Sequence, residues 1–161
     1  MANIVTKSNL LSESRNNIVE ILQDNVTNPS GNPKWIYAKR PSVKNLTFKG
    51  LPIIVVYPTT LGFGSPMTVN GQKKKTSFSL EIEIITQDSA SNSGKGLMQL
   101  DSVTDSVIEQ LNNKTNRDTL RGNGLLFVDP DVASASAEEW NNSKIFTRTI
   151  MLTFSDIKKV Y

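Results

Sequence analysis

The stretch Thr76 to Gln87, TSFSLEIEIITQ, decides how the rest of the chain is read. Phe78, Leu80, Ile82 and Ile84 alternate with Ser77, Ser79, Glu81 and Glu83. A period of two belongs to a β-strand and sends successive side chains to opposite faces, so the pattern predicts one core face and one wet face. Fully extended, a stretch of this length reaches about 40 Å, beyond a usual strand. Part of it is therefore expected to project past its sheet, together with the preceding loop.

Working outward, Pro52 to Tyr57 (PIIVVY) is a β-branched run between two prolines and predicts a short, buried strand. Thr59 to Gln72 carries Gly62, Gly64, Pro66 and Gly71 and reads as a long loop, functional or mobile. Before these, Leu10, Leu11, Ile18, Ile21 and Leu22 share a face of a helix expected from Asn9 to Asn25. Val26 to Pro33 (VTNPSGNP) stops it. Trp35 to Phe48 fits either an extended arm or an edge strand.

Downstream, Asp88 to Gly96 is a polar turn, and Leu97, Leu100, Val107, Ile108 and Leu111 predict a second helix of about four turns. Asn112 to Gly124 breaks that helix, Leu125 to Val128 predicts a short strand, and Ala133 to Ser143 is small and polar apart from Trp140. Lys144 to Phe154 alternates again, with Arg148 interrupting its apolar side. That arginine sits either where the strand leaves the core or against a buried carboxylate. The order α-β-β-α-β-β predicts one α+β domain over residues 1–161, a mainly antiparallel sheet of about four strands with two helices on one face, and a long loop at about 59–75.

Composition narrows the function. The 161 residues include no cysteine and no histidine, which removes disulfides, thiolate chemistry, the commonest general base and the commonest transition-metal ligand. Catalysis is not expected, and no cofactor or metal is called for. The first residues lack an apolar signal-peptide core, and no apolar run reaches membrane-spanning length, so neither secretion nor a membrane partner is expected. The net charge is only +3, but it is unevenly spread. From Asn25 to Leu80 there are eight basic residues and no acid, whereas residues 76–161 hold eight basic and twelve acidic ones. Such a field is answered by nucleic acid, by an acidic partner or by another copy of the chain.

The motifs that suggest chemistry are incomplete. Gly94 and Lys95 match the end of a phosphate-binding loop, but Ser89 and Gly96 stand where its first glycine and its Ser or Thr belong. Asp129 and Asp131 flank a proline and read as a turn. Glu81 and Glu83 lie about 7 Å apart on one strand face, a spacing that solvated strands share with paired catalytic carboxylates. Lys73, Lys74 and Lys75 precede the long strand near a hairpin tip. They suit nonspecific phosphate contact, and equally the charges that keep a long strand from aggregating.

The helix at Asn9 to Asn25, PIIVVYP at Pro52 to Pro58, SFSLEIEIITQD at Ser77 to Asp88, LMQLDSVTDSVIEQL at Leu97 to Leu111 and IFTRTIMLTF at Ile145 to Phe154 together resemble the tail terminator (tail completion) proteins of long-tailed bacteriophages. The resemblance covers nearly the whole chain. It implies a structural virion protein, assembled in the host cytoplasm. Such a protein forms a ring, commonly a hexamer, that ends tail-tube polymerisation and joins the tail to the head connector. The implied partners are other copies of the chain, the tail tube protein, the connector or stopper protein, and DNA transiting the channel. Lys73, Lys74 and Lys75 are then candidates for the channel or a subunit boundary, and Leu61, Phe63 and Met67 for a surface facing the tube or a neighbour. Another neck, connector or tail-tube protein fits the same pattern. So does a nucleic-acid-binding module using Lys34 to Lys75, with Trp35, Tyr37, Phe48, Tyr57 and Phe63 as stacking aromatics.

Overall fold

The computed structural model describes residues 4, 9–29, 34–38, 52–66, 73–88, 94–126, 129–140 and 143–159. Its first element, helix α1 (Leu10–Asn25), buries Leu10, Ile18, Ile21 and Leu22 along one stripe. Ser14 and Asn17 share the stripe without cost in orphaned groups, because each donates to a carbonyl one turn back, Leu10 O and Glu13 O. Helix α2 (Lys95–Asn112) buries Leu100, Val103, Thr104, Val107 and Leu111 in the same manner, and Thr104 Oγ1 donates to Leu100 O at 2.6 Å.

The strands among the described residues are β1 (Ile36–Tyr37), β2 (Ile53–Pro66), β3 (Lys73–Asp88), β4 (Asp131–Val132), β5 (Ser136–Trp140) and β6 (Ser143–Lys159). They form one sheet in the order β1-β2-β3-β6-β4, with β5 also on β6. Strand β1 runs parallel to β2, and the remaining pairs are antiparallel. The α+β class expected from sequence holds. The sheet is mixed and larger than four strands, and the element order differs from the one predicted.

Three strands are longer than the alternation indicated. Strand β2 does not stop at Tyr57 but continues to Pro66 through register shifts at Pro58/Thr60 and Phe63/Pro66. Proline lacks a ladder donor, and a bulge is where a strand tolerates one. The expected loop at 59–75 is therefore strand over 59–66 and again from Lys73, and residues 67–72 lie outside the described ones. Strand β6 likewise runs five residues past Phe154.

Helices cover one face of the sheet. Phe78, Leu80, Ile82 and Ile84 of β3 form a single buried cluster with Ile54 and Val56 of β2, Ile150, Leu152 and Phe154 of β6, and the apolar stripes of α1 and α2. The opposite face is not simply wet. Ile53, Val55, Ile85 and Ile145 are buried there as a second cluster, with Tyr37 and Tyr57 against it, and Glu83 on this face is only 8% exposed. The serine and glutamate alternation marked the faces correctly but not their solvent exposure.

A third helix, α3 (Lys114–Gly122), occupies the stretch read as a break. Asn113 starts it, its Oδ1 accepting from Thr115 N at 2.9 Å and Asn116 N at 3.3 Å. Only Leu120 anchors it in the core, so there was no apolar period to read. The strand expected at 125–128 is absent at Leu125 and Leu126, where the chain is irregular with Leu125 buried; residues 127 and 128 lie outside the described ones. Strand β5 instead forms within the small, polar stretch that follows.

Candidate functional site

The long strands position the candidate surface. Pairing of β1 with β2 ends at Val55, and pairing of β4 with β6 ends at Met151. Past those points β2, β3 and β6 continue together as a three-stranded ribbon. Phe78 and Phe154 are directly opposed at its root and stacked, with ring centroids 5.0 Å apart and planes 13° from parallel. Both are buried, so the ribbon grows from the core rather than from a loop. Eight residues separate Met151 from the end of β6, which corresponds to about 27 Å of extended chain. Among the described residues, neither β2 over 60–66 nor β6 over 155–159 has a strand on its outer side. Such edges offer rows of backbone donors and acceptors to another chain.

Leu61 and Phe63 lie in β2, opposite Phe78 and Thr76, and so belong to the ribbon rather than to a loop. Met67 lies outside the described residues. Lys73, Lys74 and Lys75 form the first residues of β3, and the continuous β3–β6 register sets them opposite Lys159, Lys158 and Ile157. Sequence reasoning missed Lys158 and Lys159. The alternation of β6 fails after Phe154, where Ser155, Asp156 and Ile157 fall out of step, so the strand seemed finished.

The remaining candidates resolve into structural roles. Arg148 pairs with a carboxylate, though an exposed one and not the buried one of the second expectation: Nη1 donates to Asp101 Oδ1 of α2 at 2.6 Å, tying helix to sheet. Asp129 pairs with Arg117 of α3 at 3.5 Å, and Asp131 is the exposed first residue of β4. Gly94 has a positive φ of 80° ahead of α2, and its N–H donates to Asp88 Oδ2 at 2.8 Å, which is turn geometry. Trp35 is 5% exposed and packs in the core, so it offers no face for base stacking. Tyr37 is half-buried, with Lys34 Nζ 5.1 Å above its ring.

A polar cleft of about 250 Å³ lies between α1 and α3, lined by Asn17, Glu20, Asp24, Asn116 and Asn123 among others. Asn123 Nδ2 donates to Asn17 Oδ1 at 2.6 Å across it, so part of its lining is committed to holding the two helices together. Among the described residues, no group of three or more acidic side chains is placed to hold a metal ion. No helix among them is long and apolar enough to cross a membrane. The chain matches no protein-family model and no curated protein sequence.

Proposed function

We propose that this chain is a structural, self-assembling protein that forms a closed ring through the edges of its ribbon, in the manner of a phage tail terminator. The observation that carries the reading is the pair of long edges on β2 and β6, which have no strand on their outer sides among the described residues. The two edges are chemically different. A contact between β2 of one copy and β6 of the next is therefore heterologous, and heterologous contacts close into rings when their rotation permits. Strands β2 and β6 run in the same direction, since each is antiparallel to β3, so neighbours turned about an axis along the strands would pair in parallel. Gly62 and Gly64 in the β2 edge are consistent with close backbone approach.

A ring with this bore axis would cap a tube and leave a channel for DNA, with the tube protein and the head connector at its two rims. The supporting facts are an assembly edge, an uneven charge and the absence of histidine and cysteine chemistry. Light scattering on the purified protein tests the reading. The expected mass is near six times the 17.8 kDa of one chain. A single lysine placed in the edge, Gly62→Lys, is expected to lower that mass without unfolding the subunit. A protein that stays monomeric at every concentration and salt refutes the ring.

A further inference from the structure

We propose that Asn123 is a self-modification site, whose amide is converted to aspartate or isoaspartate when the end of α3 opens, and that the product releases α3 from α1. The proposal does not rest on the ring. It starts from how α3 stops. Leu125 N–H donates to Leu120 O at 2.8 Å and Gly124 N–H to Arg121 O at 3.0 Å, the paired bonds that finish a helix through a residue of positive φ. That residue is Gly124, with φ 90°, a conformation that favours glycine. Asn123 precedes it as the cap. The stop therefore sets an asparagine before a glycine, whose backbone nitrogen has no neighbouring Cβ to shield it from the asparagine side chain. The reaction needs only base and water. Gly124 N, once its proton is lost to base, attacks Asn123 Cγ; the Cγ–Nδ2 bond breaks, and Nδ2 takes up a proton and leaves as ammonia. The five-membered imide left behind adds one water. Opening at Cγ gives aspartate, and opening at the backbone carbonyl gives isoaspartate.

The closed fold holds the reacting atoms apart. The Gly124 proton is bound to Arg121 O, and Asn123 Nδ2 is bound to Asn17 Oδ1 at 2.6 Å. A torsion adds to these bonds. Asn123 has ψ 5°, which eclipses Gly124 N with the residue's own nitrogen, whereas ring closure needs it eclipsed with Cβ, a third of a turn away. The end of α3 must therefore open first. Little opposes that opening, since Leu120 is the one residue of α3 buried in the core. The product does not fit back. A carboxylate at position 123 only accepts hydrogen bonds, and so does Asn17 Oδ1. Asn17 cannot turn its amide to donate without giving up the bond from Nδ2 to Glu13 O at 2.7 Å. Glu20 and Asp24 line the same cleft, so the new charge also meets like charges. Conversion thus exchanges the bond between α1 and α3 for repulsion.

The experiment follows the full chain by peptide mass spectrometry at mildly alkaline pH. It reads the amide-to-acid mass gain at Asn123 and, separately, at Asn70, the chain's other asparagine before a glycine. Wild type, Asn113→Ala and the chain unfolded in urea are compared. Losing the cap that starts α3 shifts a local opening of the helix about fivefold, so Asn113→Ala is expected to convert Asn123 about five times faster than wild type. The unfolded chain should convert it faster than either, and Asn70 should react at one rate in the two folded proteins. Conversion should also quicken as pH rises, because the attacking nitrogen must lose its proton. Asn123→Asp stands for the product. Its amides from Leu120 to Leu125 are expected to exchange about tenfold faster than those of wild type. Equal rates at Asn123 in wild type, Asn113→Ala and the unfolded chain overturn the gating by α3, and no conversion in either folded protein overturns the site. An Asn123→Asp protein with wild-type exchange across α3 overturns the release.

Discussion

Replacing Gly96 by alanine tests the joint between helix and sheet most sharply. A Cβ built at this position would lie 2.8 Å from both the carbonyl carbon and the carbonyl oxygen of Gln87, and 2.9 Å from Asp88 N. These are backbone atoms of β3, so no flexible side chain can swing aside; either α2 or the strand end must shift. The same contact carries a hydrogen bond, in which Thr86 Oγ1 donates to Gly96 O at 2.7 Å within the buried interior. Overpacking of this kind costs about 1–3 kcal/mol. The better helix propensity of alanine offsets up to about 1 kcal/mol of it. The net loss of about 1–2 kcal/mol corresponds to a fall in Tm of roughly 3–6 °C for a domain of this size. Gly122→Ala is the matched control, because nothing lies within 4 Å of its added Cβ. It is expected to be neutral or to stabilise by a few tenths of a kcal/mol. Thermal and urea unfolding of both variants beside wild type provide the measurement. A Gly96→Ala protein as stable as wild type would refute the claimed backbone approach, and with it the placement of α2 on β3.

Three further substitutions probe features that the alternation patterns did not reveal. Asp101→Asn is expected to destabilise by about 1–2 kcal/mol, less than a fully buried pair, because Asp101 is more than half exposed. Arg148→Met should cost less than Asp101→Asn, since it removes the charge together with a buried Nε that has no hydrogen-bond partner; urea midpoints of both variants decide the order. Asn113→Ala removes the acceptor for two backbone donors at the start of α3 and is expected to cost about 1 kcal/mol. Hydrogen exchange should show that loss as faster exchange confined to α3, and uniform acceleration across the chain would argue against a local cap.

What the sequence made legible follows from how each element earns its stability. Strand β3 and helix α2 bury whole apolar faces, so their periods of two and 3.6 are visible in Phe78 to Ile84 and in Leu100 to Leu111. Helix α3 has one buried leucine and is begun by an asparagine cap, and the same Asn, Thr and Gly content equally spells a loop. The extensions of β2 and β6 were hidden for a related reason. Past Tyr57 and Phe154, pairing with β3 sustains the strands while side-chain alternation lapses. Backbone pairing depends on what the neighbouring strand does, which no local window contains. That is why Lys73 to Lys75 were readable as a basic run while their juxtaposition with Lys158 and Lys159 was not.

The ribbon also has to avoid the assemblies that its edges would otherwise permit. Open strand edges pair indiscriminately unless charge, proline or irregularity restricts them. All three are present: Pro58 and Pro66 bracket the β2 edge, two register shifts interrupt its ladder with β3, and lysines occupy the ends of β3 and β6. Pro58 and Pro66 remove ladder donors, leaving the intervening residues 59–65 as the part of β2 able to pair throughout. A parallel alignment sliding further toward the strand ends would bring the lysine termini of adjacent copies together, at a cost that grows as salt is lowered. In the proposed ring, those charges would select one register of self-association and oppose stacked or slipped alternatives. Low salt penalises slipped pairing, whereas high salt relaxes that selection. Light scattering across a salt series is therefore expected to show heterogeneous, larger assemblies appearing as salt rises. A single assembly size held from low to high salt would mean that the lysines play no part in choosing the register.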